Sequence, residues 1–260
     1  GMHFFNPVHR MPLIEVIRAK NTDDETVATI LDFSRKLGKI PIVVKDSCGF
    51  LINRILLPYL TEAGFLLEEG VDIEKVDKIM TRFGMPVGPF TLMDEIGIDV
   101  GYKVAHILES VFGERMKVPS ILIKMYLGKL FGKKVGKGFY IHRNKKRIPN
   151  KEIYNLLPTG KQTILSDENI LDRMLFRMIN EAGMCLEESV CEEPSDIDIG
   201  MIMGIGFPPF RAGLLNYADT IGIDKIAKEL ERFAGTVNPE RFKPCNYLIK
   251  LAQQKQKFFN

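Results

Sequence analysis

The sequence contains a long internal repeat, and this repeat restricts the fold more than any other feature. The segment RILLPYLTEAGFLLEEGV at 54–71 matches RMLFRMINEAGMCLEESV at 173–190. The offset is 119 residues, so Glu62–Gly64 falls on Glu181–Gly183. Apolar residues recur at helical spacing in both segments, which predicts one long helix in each.

Further matches follow in the same order along the chain. FGMPVGPF at 83–90 resembles IGFPPFRAG at 205–213, and IGID at 96–99 recurs at 221–224. One such match could arise by chance, because amphipathic helices resemble one another. Several matches in one order indicate a duplicated helical domain.

The first 47 residues have a different pattern. MHFF, LIEVI and IPIVV are short apolar segments that predict strands, and NTDDETVATILDFSRKLGK between the last two predicts an amphipathic helix. A strand, a helix and a strand in that order favour a parallel crossover. The predicted domains are therefore 1–47, 48–148 and 149–260.

Capping residues predict several helix boundaries. Thr22 and Glu25 have the spacing of a capping box, and Asp72 and Asp99 are each placed to cap a following helix. The apolar residues of the helix after Asp99 are predicted to face the core, namely Val104, Ile107, Leu108 and Val111.

Composition argues against several classes of function. A net charge of +3 gives no case for nucleic acid or an anionic membrane as the main partner. Four widely spaced cysteines without a CxxC favour reduced thiols in a cytoplasmic protein over disulfides or a zinc site, and no metal site is predicted. No apolar run is long enough to span a bilayer.

Two ionisable residues stand in the apolar N-terminal segments. If MHFF and LIEVI form a hairpin with a turn centred on residue 9, His3 lies directly opposite Glu15. A carboxylate beside an imidazole fixes its tautomer and stabilises the imidazolium, which suits a general base. The pair is therefore a candidate catalytic dyad.

A structural role for the histidine is the main alternative. A single histidine near apolar residues is more often structural than catalytic, and spacing alone favours that interpretation. Glu15 shifts the balance, because burying a carboxylate without a partner is costly. His9, His106 and His142 have no comparable partner in the sequence, and they are predicted to be surface or helix residues.

Four longer motifs carry a resemblance to a known family. GMHFFNPVHRMPLIEVI, KIPIVVKDSCGFLINRIL, FGMPVGPFTLMDEIGID and FGKKVGKGFY together resemble the L-3-hydroxyacyl-CoA dehydrogenase family along the whole chain. The two helical copies resemble the C-terminal part of multifunctional fatty-acid oxidation enzymes more than the short monofunctional members. The resemblance implies a mainly α fold, with two duplicated helical dehydrogenase C-terminal-type domains preceded by an α/β remnant of a truncated Rossmann domain. Single-copy members dimerise through this helical domain, and the second copy would take the place of the partner.

The resemblance implies NAD-dependent oxidation of L-3-hydroxyacyl-CoA to 3-ketoacyl-CoA in β-oxidation. His3 would be the base that removes the hydroxyl proton, and Glu15 would orient it. Asn53 would lie beside the substrate thioester and reacting carbon, and Asn6 and Lys134 near the nicotinamide end of the cofactor. The alternatives are structural: Asn53 as a helix-face residue, Asn6 as the start of a turn, and Lys134 as part of a solvated basic loop.

The sequence lacks one expected element. No G-x-G-x-x-G turn occurs in it, and the resemblance places that turn, an active-site serine and the main CoA contacts upstream. We therefore expect the main NAD site to be absent from this chain and the chain alone to be inactive. Residues 1–47 are expected to be partly disordered, to pack on the helical domains, or to pair with another chain. The implied partners are acyl-CoA, upstream Rossmann and hydratase domains, and a thiolase subunit.

Two other functions remain open. The first is a helical assembly or dimerisation module in which the dyad is vestigial, which the duplication favours to some extent. The second is another dehydrogenase with a Rossmann domain and a helical dimerisation domain. This second alternative is weaker, because HFFNP together with LIEV is a narrow signature.

Overall fold

A computed structural model describes residues 1–143, 146–158 and 163–259. The strands in these ranges are β1 (Met2–Phe4), β2 (Leu13–Arg18), β3 (Ile40–Lys45), β4 (Tyr140–Arg143) and β5 (Lys146–Pro149). The α-helices are α1 (Asp24–Lys36), α2 (Ile52–Glu68), α3 (Ile73–Phe83), α4 (Pro89–Ile96), α5 (Ile98–Phe112), α6 (Ser120–Leu127), α7 (Asp167–Glu187), α8 (Pro194–Ile205), α9 (Leu214–Ile221), α10 (Ile223–Thr236), α11 (Pro239–Phe242) and α12 (Asn246–Gln254). No helix of the described part is long and apolar enough to cross a membrane.

The N-terminal strands form the predicted hairpin and crossover. β1 pairs antiparallel with β2 in a register that sets His3 opposite Glu15, and β2 pairs parallel with β3 after α1. The predicted capping box at Thr22 is wrong. Asp23 caps α1 by accepting the N–H of Thr26, whereas the Thr22 hydroxyl accepts the N–H of Ala19 in the preceding turn.

Helices cover both faces of this small sheet. On one face, Val27 of α1 packs with Ile14 and Val16 in a buried cluster. On the other face α8 approaches closely: a Cβ on Gly200 would lie 3.1 Å from Cδ1 of Ile42 in β3, and one on Gly204 would lie 2.8 Å from Cδ2 of Leu13 in β2. Of the three expectations for residues 1–47, packing on a helical segment is observed. The two glycines allow α8 to lie close to the sheet and cover its open face.

The chain divides into two compact units, Gly1–Leu56 with Met178–Asn260, and Leu57–Arg177. Helices α2 and α7 each contribute to both units. These units differ from the three predicted domains because they are defined by packing, whereas the predicted boundaries follow the repeat and stay a prediction.

A buried arginine lies in the first unit. The Arg54 guanidinium is fully buried, and its Nε donates to Glu181 at 2.7 Å. Its Nη1 and Nη2 donate to the two carboxylate oxygens of Glu188 at 2.7 and 2.9 Å. Such paired hydrogen bonds fix both the position and the orientation of the planar group.

The second unit contains the same arrangement with the roles of the two repeated segments exchanged. Arg173 is 1% exposed; its Nε donates to Glu62 at 2.8 Å, and its Nη1 donates to Glu69 at 2.6 Å. Each of these three residues lies 119 positions from its counterpart at 54, 181 and 188. An arginine from each repeated segment is therefore bound by two glutamates of the other.

Buried aspartates also recur. Asp77 accepts the N–H groups of Phe90 and Thr91 at the start of α4, and Asp198 accepts those of Leu215 and Asn216 at the start of α9. Each carboxylate fills the space that a side chain would need at a nearby glycine, Gly88 or Gly213. Burial raises the pKa of both carboxyls, and the hydrogen bonds oppose that shift.

A third buried aspartate corrects the expectation for His142. Asp94 accepts the N–H groups of Phe139 and Tyr140, as Asp219 accepts those of Phe258 and Phe259 further on. His142 was expected on the surface or in a helix, but it lies in β4 with Nε2 2.8 Å from Asp94. The partner is 48 positions away, so local spacing could not indicate it.

Helix α5 departs from its prediction in two ways. Gly97, not Asp99, is the N-cap, and Asp99 lies in the first turn paired with Lys134 at 2.5 Å. Leu108 is buried as predicted, whereas Ile107 and Val111 are 56% and 57% exposed. The apolar spacing of this helix spans more than one face, and only one face is covered by the described residues.

The Asp94–His142 pair gives a pH-dependent prediction. Burial raises the pKa of Asp94 above 3.8, and the hydrogen bond from His142 lowers it. His142→Ala removes that bond, so the folded-state pKa of Asp94 rises further. The free energy of unfolding then falls over a wider range as the pH increases from 3.8 through the folded-state pKa. We expect a loss of about 1–3 kcal/mol at neutral pH, which shrinks as the pH falls toward 3.8, measured by urea denaturation.

The matched control is His106→Ala. The side chain of His106 is 66% exposed, so its removal should change the free energy of unfolding by less than about 0.5 kcal/mol. A pH-independent difference between wild type and His142→Ala would contradict the coupling to Asp94.

Candidate active site

The structure brings His3 and Glu15 together. Nδ1 of His3 lies 2.6 Å from Oε2 of Glu15, as the hairpin register requires. The carboxylate is completely buried, while the imidazole is 27% exposed. One member of the pair is therefore fixed inside the protein and the other reaches its surface.

The start of α2 holds the buried carboxylate. The backbone N–H groups of Leu51 and Ile52 donate to Oε1 of Glu15 at 2.9 and 3.0 Å. Free N–H groups and the positive end of the dipole stabilise negative charge at a helix N-terminus. Both oxygens of Glu15 thus have partners, which is why an apolar strand can carry it.

Aromatic rings hold the imidazole in place. The ring of His3 lies 4.8 Å from that of Phe5 and 5.4 Å from that of Phe50, measured between centroids. When Nδ1 donates to the carboxylate, Nε2 keeps its lone pair, which is directed away from Glu15. The arrangement can therefore accept a proton at Nε2 and stabilise the resulting imidazolium.

Two of the predicted site residues, Asn53 and Asn6, lie close in sequence to the groups that form or hold the dyad. Asn53 follows Ile52 directly on α2 and is partly exposed, so its amide is available at the helix start. Asn6 is exposed just after β1, ahead of Pro7. Their substrate and cofactor roles stay predictions.

Lys134 belongs to the other compact unit. Its ammonium pairs with Asp99 and lies 5.6 Å from the Phe131 ring centroid, and the hydrogen bond from Lys134 lowers the pKa of Asp99. This ion pair differs from the solvated basic loop that was the alternative for the residue, and it does not decide between the two. Its role at the nicotinamide also stays a prediction.

Sequence reasoning missed the groups that anchor Glu15. They are main-chain N–H groups at 51 and 52, which no residue type reveals. The preceding loop gives one signal in the sequence, the glycine at position 49. Gly49 and Phe50 both have positive φ, at 75° and 48°, and this turn directs the chain sharply into α2. Within the described ranges, no group of three or more His, Cys, Asp or Glu is placed to hold a metal ion.

Comparison with known proteins identifies the family. The family model described as "3-hydroxyacyl-CoA dehydrogenase, C-terminal domain" matches residues 49–142 and 170–257, and the one described as "3-hydroxyacyl-CoA dehydrogenase, NAD binding domain" matches residues 1–47. This chain belongs to the 3-hydroxyacyl-CoA dehydrogenase family. The resemblance in its motifs is therefore confirmed.

Curated relatives are named as subunits of a complex. The chain is 45% identical over 265 residues to the fatty acid oxidation complex subunit alpha of Shewanella sp. (strain MR-7), and 43% identical over 259 residues to that of Vibrio parahaemolyticus. All of the chain is covered in both cases, together with 37% of the relative's length. The chain thus spans little more than a third of these curated relatives.

Solved structures agree with this assignment. The crystal structure of 3-hydroxybutyryl-CoA dehydrogenase from Escherichia coli K12 has a TM-score of 0.86 at 25% identity and covers 98% of this chain and 70% of that one. The dehydrogenase part of multifunctional enzyme 1 from C. elegans has a TM-score of 0.70 at 28% identity and covers 96% and 58%. The mainly helical dehydrogenase fold is therefore shown.

The match at residues 1–47 bears on the cofactor. The family is one of NAD-dependent dehydrogenases, and its NAD-binding-domain model includes this segment. The expectation that the cofactor's main site is absent from the chain is not supported by this match.

The anchoring of Glu15 gives a stability prediction. Glu15→Leu leaves two buried N–H groups without their acceptor, so the free energy of unfolding should fall by about 2–4 kcal/mol. Glu15→Gln keeps an acceptor oxygen and should lose about half as much. Chemical denaturation measures both.

Glu25→Leu is the control, because Glu25 is an exposed residue of α1. It should change stability by about 0.5 kcal/mol or less. Unchanged stability of the Glu15→Leu variant would show that the carboxylate does not anchor α2.

Proposed function

We propose that this chain forms the base-carrying part of an NAD-dependent 3-hydroxyacyl-CoA dehydrogenase that acts in fatty-acid β-oxidation. The observation that carries the proposal is the 2.6 Å contact between Nδ1 of His3 and the buried Glu15, which leaves Nε2 available. Family membership supports the reaction class. The substrate is an L-3-hydroxyacyl-CoA, and the product is the 3-ketoacyl-CoA.

The chemistry assigned to the chain is a proton transfer. Nε2 of His3 takes the proton of the substrate's 3-hydroxyl group while the C3 hydride leaves, so the C–O single bond becomes a carbonyl. Glu15 holds the resulting imidazolium and prevents the ring from turning. Asn53 lies at the start of α2 and is assigned to the thioester end of the substrate, where its amide N–H can donate to the thioester carbonyl oxygen.

The cofactor assignment is limited to the nicotinamide end. Bound NAD would supply the hydride acceptor. The outward Nε2 of His3 and the exposed Asn6 fit that end, whereas no residue pattern in this sequence fits the pyrophosphate, since G-x-G-x-x-G is missing. We propose that the phosphate-binding turn comes from outside these 260 residues, and that Lys134 assists at the nicotinamide.

The helical part is proposed to be a duplication, with boundaries near 48–148 and 149–260. Support comes from three repeated sets of buried contacts: the exchanged arginine–glutamate pairs, the aspartates that cap α4 and α9, and the aspartates that bind 139–140 and 258–259. The same family model also matches both segments. The exchanged pairs are the kind of contact expected between two subunits, so the second copy is proposed to replace a partner subunit.

Partners and location are proposals as well. The relatives named subunit alpha support an assembly with hydratase regions and a thiolase subunit, and a cytoplasmic location accords with the free cysteines. The competing function, a helical assembly module, draws support from the exchanged ion pairs. It does not explain why a completely buried carboxylate holds the partly exposed imidazole of His3.

The central test is the His3→Gln variant of the longer enzyme to which this chain is proposed to belong. Glutamine keeps hydrogen bonding without accepting a proton, so NAD reduction with an (S)-3-hydroxyacyl-CoA should fall by about 10²–10⁴-fold. The circular dichroism spectrum should not change. His106→Gln should keep the wild-type rate, and a wild-type rate in His3→Gln would remove this residue from the mechanism.

Calorimetric titration of the 260-residue chain with NAD tests the cofactor proposal. Without a phosphate-binding turn, we expect no saturation up to about 1 mM, equivalent to less than about 4 kcal/mol of binding free energy. Tight, saturable binding would refute the proposal that the turn lies outside this sequence.

A further inference from the structure

The second helical segment, residues 178–259 of the first compact unit, contacts the N-terminus of α2, where Glu15 is anchored. Arg54 follows the two N–H groups of residues 51 and 52 within one helical turn. Its guanidinium is bound by Glu181 of α7 and by Glu188 just beyond α7. The helix end that holds the dyad is therefore attached to a segment more than 120 positions further along the chain.

The loop before α2, residues 46–51, is held by Arg54 and by a contact with the second helical segment. The Arg54 Nη1 donates to Oγ of Ser47 at 3.3 Å, and the N–H of Lys45 donates to the carbonyl oxygen of Val190 at 2.7 Å. Between these points, Phe50 has a φ of 48°. A non-glycine residue in this region is unfavourable and persists only when its surroundings hold it.

The position of Phe50 matters because its ring contacts His3 at 5.4 Å. A shift of the loop would move this ring and the N–H groups that bind Glu15 together. Arginine suits the task, because its rigid fork engages a carboxylate through two parallel bonds that a lysine cannot reproduce.

We infer that Arg54, with Glu181 and Glu188, is a positioning residue for the dyad: it fixes the start of α2, and through it the orientation of Glu15 and His3. Arg54 does not touch the reacting atoms. The second helical segment thus acts on the dyad through Arg54 and the start of α2. This inference deepens the proposed function and rests on it for its kinetic consequence alone.

The chain contains its own control. Arg173 is equally buried, is bound by the same number of glutamates and has the same geometry. Its partner Glu62 lies nearly three helical turns beyond the N–H groups that bind Glu15, and its partner Glu69 lies just after the end of α2. Arg54→Lys and Arg173→Lys therefore remove the same chemistry at different distances along α2 from the dyad.

The first experiment is proton NMR on the 260-residue chain and needs no activity. A proton in the short bond between His3 and Glu15 resonates far downfield, and the signal is assigned by its loss in His3→Gln. We expect Arg54→Lys to shift or abolish it, and Arg173→Lys to leave it in place. An unchanged signal in Arg54→Lys, or equal effects of the two variants, would overturn the inference.

The second experiment measures kinetics in the whole protein. Misplacement of a catalytic group by about 1 Å costs on the order of 100-fold, so Arg54→Lys should lower kcat by about 10- to 100-fold. KM should change little, and Arg173→Lys should keep the wild-type kcat. Equal losses of kcat in both variants would mean that the arginines serve stability only.

A milder pair covers the case in which Arg54→Lys does not fold. Glu188→Gln and Glu69→Gln alter partly exposed partners, with 43% and 29% of their side chains accessible. The Glu188 variant should reproduce the NMR and kinetic changes, and the Glu69 variant should not. Absence of dehydrogenase activity in wild type would refute the proposed function, whereas the NMR result would still decide the inference.

Discussion

The buried carboxylate of Glu15 is the interaction on which this structure depends most. It accepts hydrogen bonds from three directions: an imidazole on the neighbouring strand and two main-chain N–H groups at the start of α2. A lone carboxylate in this place would be strongly unfavourable. The charge therefore requires both the hairpin and the helix to be in place, and it joins the α/β segment to the helical part of the chain.

Much of the local structure could be predicted because its signals are local. The His3–Glu15 register follows from the alternation of side chains along two strands, and Asp72 caps α3 as its position before the helix indicates. The candidate dyad was found in this way. The hydrogen bond between its two side chains accords with the register.

The features that were missed depend on residues far apart in sequence. His142 is bonded to an aspartate 48 positions away, and Arg54 to glutamates 127 and 134 positions away. Nothing within one helical turn signals such partners. The prediction that Ile107 and Val111 of α5 face the core was wrong for a related reason. Spacing shows which residues share a face, but only tertiary packing decides whether that face is covered.

The exchanged arginine–glutamate contacts limit how the two repeated segments can diverge. Elsewhere the two segments differ: Gly136 and Lys255 each follow a helix in a left-handed conformation, yet one is a glycine and the other a lysine. A change at Arg54 or Arg173, by contrast, would leave two carboxylates in the opposite segment without their cation. At these six positions a substitution in one segment therefore has to be matched in the other, so the two segments are coupled through their side chains as well as through the chain that joins them.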